Sequence, residues 1–324
     1  MLRLEILLKK IGQVLVMLLA VATFNFILFR ILPGDPIRLI ARAGHLSADA
    51  IDRIRQIFGL DRPLGIQYLY YLRNIVTGEL GISFTYRRPV AEILQERIIN
   101  TLILLSAATV IVIVIGVGAG VIAAARRGSR IDSSLVITSL VFWSLPTFWT
   151  GLVLIIILSV YLNAFPISGM TSPGLGSAIN LANLGDIARH LILPTLTLAI
   201  VDMGQFTLIT RSSLIDVLTE DYILTAKAKG LPGRKVLWGH GVPNALLPVI
   251  TTTALYVSLV VGGAIQVETV FSWPGMGRLM YDAVLRRDYP LLEASFLISA
   301  ATVILANFLS DVAYLLIDPR VKEA

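Results

Sequence analysis

The side chains that most often do chemistry are few and scattered in this 324-residue chain. Its three histidines, His45, His190 and His240, fall in different regions, and cysteine is absent. That removes a thiolate nucleophile, a thiolate metal site and a disulfide framework. His190, with no second ligand nearby in sequence, makes a poor metal site, so no metal is expected. Gly116, Gly118 and Gly120 lie inside an apolar run rather than between a strand and a helix. They therefore do not form a dinucleotide fingerprint, and the Gly116/Gly120 pair suits close helix packing instead. No phosphate-binding Gly-x-x-x-x-Gly-Lys-Ser/Thr loop exists, and GLPGRK is too short to be one. No catalytic residue is assigned, and ATP hydrolysis by this chain is not expected. What remains is polar chemistry within apolar surroundings: Asp202 and Gln205, three apart on one expected helix face, and Glu268 near the end of another apolar segment.

The elements that must hold these residues are membrane helices. Charged residues make up 15% of the chain, against about 25% in a soluble domain, and the mean hydropathy is +0.80. Six segments reach spanning length, at 11–32, 102–125, 135–162, 191–209, 246–270 and 291–317. An isolated strand cannot satisfy its backbone in lipid, and barrel strands would be short and alternating, so helices are expected. The first segment is read as a retained span, since no small-residue cleavage site closes it. All six lysines, Lys9, Lys10, Lys227, Lys229, Lys235 and Lys322, fall on one side if the N-terminus is cytoplasmic, which orients both termini inward. Net charge is +6, but the basic residues cluster at membrane ends, so no nucleic acid is expected.

Three regions follow: 1–32 (N-terminus and first span), 33–101 (an external helical subdomain) and 102–324 (a five-helix core). In the external subdomain, helices are expected at 47–58, at 66–76 and at 90–98, the last running into the second span, with the tyrosines of the second at the membrane interface. Pro146, in SLPTFW, is expected to kink the third span. A Gly- and Pro-rich external loop ends at His190. Asp202, at a cost of roughly 2.5–3.5 kcal/mol near the bilayer centre, should face protein or water. It either lines a polar substrate path with Gln205 or makes a structural hydrogen bond or a pair with an arginine such as Arg30.

The polar, basic stretch 211–245 interrupts this apolar pattern. Asp221 is placed to cap a short helix from 222 to 229, Gly230 and Pro232 stop it, and a second helix follows toward Pro243. His240 and Asn244, four apart, are expected to tie the two helices together. Such a piece cannot sit in lipid, so it lies at the membrane surface or on a partner.

DYILTAKAKGL, then His240, then NALLP, resembles the cytoplasmic EAA loop of the membrane subunits of ATP-binding-cassette importers, in particular the dipeptide/oligopeptide/nickel permease family. LPGDP, the GLDRPL–QYLYYL–GELGIS region, VETVFSWPGMG, RDYP and NFLSDVAYLLIDPR match the same family in order, so the resemblance covers almost the whole chain. Lys227 stands where arginine is common, and VDMGQFTLIT is less typical, so no family role is carried to Asp202.

The resemblance implies an all-α membrane protein of six transmembrane helices, a type I importer-like permease fold with an external helical insertion after the first helix. It implies the pore subunit of a binding-protein-dependent importer in a prokaryotic inner membrane, most simply for di- or oligopeptides, with nickel chelates, glutathione or another small solute as the alternative. Partners would be a homologous second permease, two ATPase subunits that bind ATP and magnesium, and a solute-binding protein, with no cofactor in this chain. The loop would be the coupling helix: Ala226 and Ala228 permit close approach to the ATPase, Tyr222 and Ile223 fill a groove, Lys227 and Lys229 pair with acids, and Gly230 ends the helix. Glu268, with Asp202 and Gln205, is assigned to the substrate pathway. A rival class is a proton-coupled secondary transporter using Asp202, although no internal repeat supports it.

Overall fold

In the computed structural model, residues 2–31, 62–176, 180–261 and 264–317 are described. The LPGDP turn, the helix expected at 47–58 and the DPR end lie outside them. Helices follow one another throughout: α1 (Leu2–Ile31), α2 (Leu64–Thr77), α3 (Val90–Ala125), α4 (Arg130–Ser144), α5 (Thr147–Leu154) with a wider π-helical turn at Ile155–Tyr161, α6 (Leu184–Val217), α7 (Asp221–Ala228), α8 (Gly233–Val236), a π turn at Leu237–Gly241, α9 (Val242–Ala245), α10 (Leu247–Val261), α11 (Ile265–Val270), α12 (Met276–Arg286) and α13 (Tyr289–Ile317). Among the described residues α1, α3, α6 and α13 are long and apolar enough to cross a membrane, and α4 with α5 makes a fifth, broken crossing. The multi-pass character expected from composition is therefore present.

The chain forms two compact units, one of Met1–Ile99 with Leu279–Ile304 and one of Asn100–Arg278 with Leu305–Ala324. In the first, α2 lies on α1. Tyr68 and Thr23 share a hydrogen bond of 2.6 Å, Asn25 donates to the Tyr71 hydroxyl at 3.0 Å, and the Phe26 ring meets both tyrosines. These tyrosines turn onto α1, leaving Tyr70 as the exposed aromatic of the helix. Within the same unit, Asp288 is fully buried. It accepts from Ser83 Oγ at 2.5 Å and from the Thr85 and Phe84 amides at 2.9 and 3.2 Å, clamping the turn that leads into α3. Its own carbonyl accepts the Leu292 amide and so starts α13.

In the second unit α6 is the central element, with 56% of its most apolar window buried. It meets α3 through the expected glycines: a Cβ on Gly116 would stand 2.7 Å from Phe206 Cβ, and one on Gly120 would stand 2.6 Å from Thr210 Cβ. Gly204 does the same toward α4, where a Cβ would meet the Ser139 carbonyl and Trp143. Helices without a hydrophobic drive between them rely on such close approach. Gly120→Val is therefore expected to cost about 1–3 kcal/mol, as overpacking does. Thermal unfolding in detergent would read it as a lowered midpoint, whereas Gly118→Val, with open space at its Cβ, should leave the midpoint near wild type.

Two boundaries differ from expectation. Pro146 does more than kink its span: Leu145 is extended (φ −74°, ψ 135°), and α4 and α5 diverge by 100°. A residue before proline is pushed out of the helical region, so α4 ends there. Span four is also longer than its apolar core. His190 sits in its second turn rather than in a loop, and it continues past Arg211 to Val217 because Leu214, fully buried, packs with Val121, Val242 and Ala245.

Candidate functional site

Helix α7 is eight residues long, too short to stand alone, so its stability is tertiary. Ile223 and Ala226, three apart, close on Val236 of α8, and Leu218 and Leu231 pack around them. The pair expected on a partner surface is thus the loop's own core: Ile223 is fully buried and Ala226 nearly so. Tyr222, Leu224, Lys227, Ala228 and Lys229 form the exposed remainder. Asp221 is the first helical residue rather than the cap, a position Glu220 takes with extended backbone and no side-chain bond. A carboxylate in the first turn and Lys227 in the last both suit the helix dipole.

The end of α7 explains Gly230. Its amide bonds the Lys227 carbonyl at 2.9 Å and the Leu231 amide bonds the Ala226 carbonyl at 3.4 Å. That is the paired closure of a Schellman motif, which needs a left-handed residue, and Gly230 has φ +75°. Leu231 is thereby folded back onto Ile223 and Ala226.

The run from Pro232 returns the chain to α6. Gly241 lies against Leu214 and Leu218, where a Cβ would sit 3.2 Å from each. Asn244 Nδ2 donates to the His240 carbonyl at 2.8 Å. This corrects the expected tie: the bond joins successive turns of one helical run, not two helices. The link to α6 is made by Ser213, whose hydroxyl donates to the Ala245 carbonyl at 3.0 Å.

A further anchor was not anticipated. Arg211 on α6 grips Asp132 at the start of α4 in a two-point bond, Nε–Oδ1 2.5 Å and Nη2–Oδ2 2.8 Å. The Gly128 amide adds a third bond at 2.9 Å, and Ser129 caps α4 through the Asp132 amide. A fork-to-carboxylate pair fixes orientation as well as distance. The only local signal was the Ser-x-x-Asp cap pattern at 129–132, which says nothing about Arg211.

Of the residues expected on a pathway, Asp202 accepts from the Tyr256 hydroxyl of α10 at 2.9 Å. Gln205 is half-buried on the same helix and takes no part in that bond. Glu268 is elsewhere: it is fully enclosed, and accepts from Thr101 Oγ1 at 2.8 Å and the Arg278 amide at 2.9 Å. Thr101 Oγ1 in turn accepts the Met276 amide at 2.8 Å. Asn100 donates to the Pro274 carbonyl at 2.9 Å, and the buried Trp273 indole donates to the Asn100 carbonyl at 3.0 Å. The geometry therefore gives Glu268 a structural task, holding the SWPGMG turn against the start of the second span, instead of a place on an open path. Among the described residues no group of three or more His, Asp or Glu side chains converges on a point, and His190 Nδ1 lies 2.9 Å from the Asp186 carbonyl.

Comparison with known proteins places this arrangement. Residues 116–323 match the family model described as binding-protein-dependent transport system inner membrane component, and residues 1–106 match the model of its N-terminal region. The chain is 40% identical over 306 residues to the oligopeptide transport system permease protein AppB of Bacillus subtilis, covering 94% of this chain and 95% of that one. It is 37% identical to the dipeptide transport system permease protein DppB of Escherichia coli K12, covering 98% and 99%. It is 38% identical to the glutathione transport system permease protein GsiC of Escherichia coli O6:H1, covering 97% of each. In fold it resembles a chain of a methionine ABC transporter solved in inward-facing conformations, with a TM-score of 0.56 and 15% identity, over 70% of this chain and 96% of that one.

Proposed function

This chain belongs to the family of binding-protein-dependent transport system inner membrane components, as a pore-forming permease subunit of an ABC importer, and on that premise we propose that its solute is a di- or oligopeptide. The names of its oligopeptide and dipeptide relatives support that class, and glutathione, named for another relative, is itself a tripeptide and stays within it. The working assembly pairs this chain with a homologous permease in a prokaryotic inner membrane. Two ATPase subunits, which hold ATP and magnesium, dock beneath, and a solute-binding protein delivers from outside. The chain crosses six times with both termini cytoplasmic, α10 and α11 making the crossing that length alone does not assign.

The observation that carries this reading is the division of labour within α7. Ile223 and Ala226 lock the helix to its own loop, so the open side, with Leu224, Lys227 and Ala228 three and four apart and Tyr222 and Lys229 at its edges, is presented as a fixed surface. A coupling element needs that combination, because a soft loop would absorb motion rather than pass it on.

The test is uptake of a labelled dipeptide by proteoliposomes carrying both permeases, both ATPases and the binding protein. Accumulation that requires ATP and survives a protonophore is expected. Accumulation that persists without ATP and collapses with the proton gradient would move the function to Asp202 and Tyr256.

A further inference from the structure

Tyr68 and Tyr71 of α2 face α1, while Ile66, Leu69 and Val76 stand open, Leu69 at 66% and Val76 at 87% exposure, and the Arg62 guanidinium lies over the Tyr70 ring at 4.7 Å. Large apolar side chains grouped on an open helix face mark a surface for lipid or protein.

Two independent rulers give its depth. On α1, described to Ile31, Thr23 and Asn25, which hold the two tyrosines, lie about 12 and 9 Å inward from Ile31 at the helical rise of 1.5 Å per residue. On α13 the spanning stretch begins at Tyr289. The Glu293 carbonyl, which accepts from the same Asn25 at 2.9 Å, lies about 6 Å inward by the same rise. Both put the contact line of α2 below the headgroups, at the depth where interfacial helices bury their apolar faces, about 5–10 Å. Phe24 and Ile27 of α1, at the same level of that helix, are exposed as well.

We propose that α2 is a monotopic helix lodged in the membrane leaflet at the C-terminal end of α1, with Ile66, Leu69 and Val76 against acyl chains and Tyr70, covered by Arg62, at headgroup level. Arg73, exposed on the same side, extends back to the lipid phosphates, as long basic side chains do at this depth. The helix then ties residues 64–77 to the bilayer surface. The inference needs α1 to be a span, and does not depend on the solute or on the ATPase.

The absence of cysteine makes the test direct. Leu69→Cys, Val76→Cys and Met17→Cys are each made in the full chain and carry a nitroxide label. After reconstitution into phospholipid vesicles with the partner subunits, collision with oxygen, which concentrates in lipid, is compared with collision with a water-soluble nickel chelate. Met17, exposed on α1, is the lipid reference. The proposal expects oxygen to dominate at positions 69 and 76 as it does at 17. Dominance of the nickel chelate at 69 and 76 would put α2 in water, and shielding from both probes would mean that protein covers the face. Either result overturns the proposal while the reference stands, and nickel access at 17 would instead overturn the span itself.

Discussion

Gly275→Ala is expected to unfold the SWPGMG corner and to lower the thermal midpoint of the purified chain by more than any surface change. The added Cβ would fall on the Glu268 carboxyl group. Glu268 cannot step aside without releasing Thr101 and the Arg278 amide, and each such hydrogen bond contributes about 0.5–1.5 kcal/mol. Thr101 would then lose its orientation toward the Met276 amide, and the Trp273 and Pro274 bonds to Asn100 lie in the same turn. Glu268→Gln should be milder, since one oxygen acceptor survives and no atom is added. A midpoint for Gly275→Ala equal to wild type would show that the corner tolerates displacement of Glu268, contrary to the packing described.

Arg211→Ala is expected to separate ATP hydrolysis from transport. Helices α4 and α6 are fastened at two levels, sterically where Gly204 meets Ser139 and Trp143, and by charge where Arg211 meets Asp132. Only three residues separate the end of α6 from α7, so a push on α7 crosses one short turn and then reaches Arg211 along α6. The pair hands it to α4, which runs to the break at Leu145–Pro146. Without the guanidinium, the enclosed Asp132 carboxylate keeps only backbone partners and the lower fastening is lost. Solute moved per ATP consumed should fall. Arg211→Lys, which keeps the charge but not the fork, should fall between. Solute flux and phosphate release measured on the same vesicles check this, and an unchanged ratio in Arg211→Ala would remove the pair from the transmission route.

Much of the fold was legible because lipid imposes simple demands on sequence. Spanning length and the Gly116/Gly120 spacing each follow from one physical requirement and are written locally. The site was less legible, for reasons particular residues make plain. Eight residues of α7 contain two usable faces, and periodicity cannot say which is home; only Val236 and Leu231 reveal that Ile223 and Ala226 point inward. Acceptors with distant partners were missed or misread for the same cause. Asp132 meets Arg211 across 79 positions, Glu268 meets Thr101 across 167, and Asp288 meets Ser83 across 205. Asp202 stands out in the sequence as a carboxylate in an apolar segment, but Tyr256, 54 positions on, could not be chosen as its donor without the packing of α6 and α10. Proline gave a third kind of error: at position 146 the sequence marks a disturbance, and its size depends on whether Leu145 remains helical.

The central claim is that the outer strip of α7 receives the ATPase. The most direct measurement is co-purification of the ATPase subunits with wild-type chain and with a Leu224→Asp, Lys227→Asp variant, both positions being exposed, alongside the thermal midpoint of each preparation. The account predicts that the variant keeps a wild-type midpoint and its partner permease but loses the ATPase. Undiminished recovery of ATPase with the variant would contradict it and place the docking surface elsewhere.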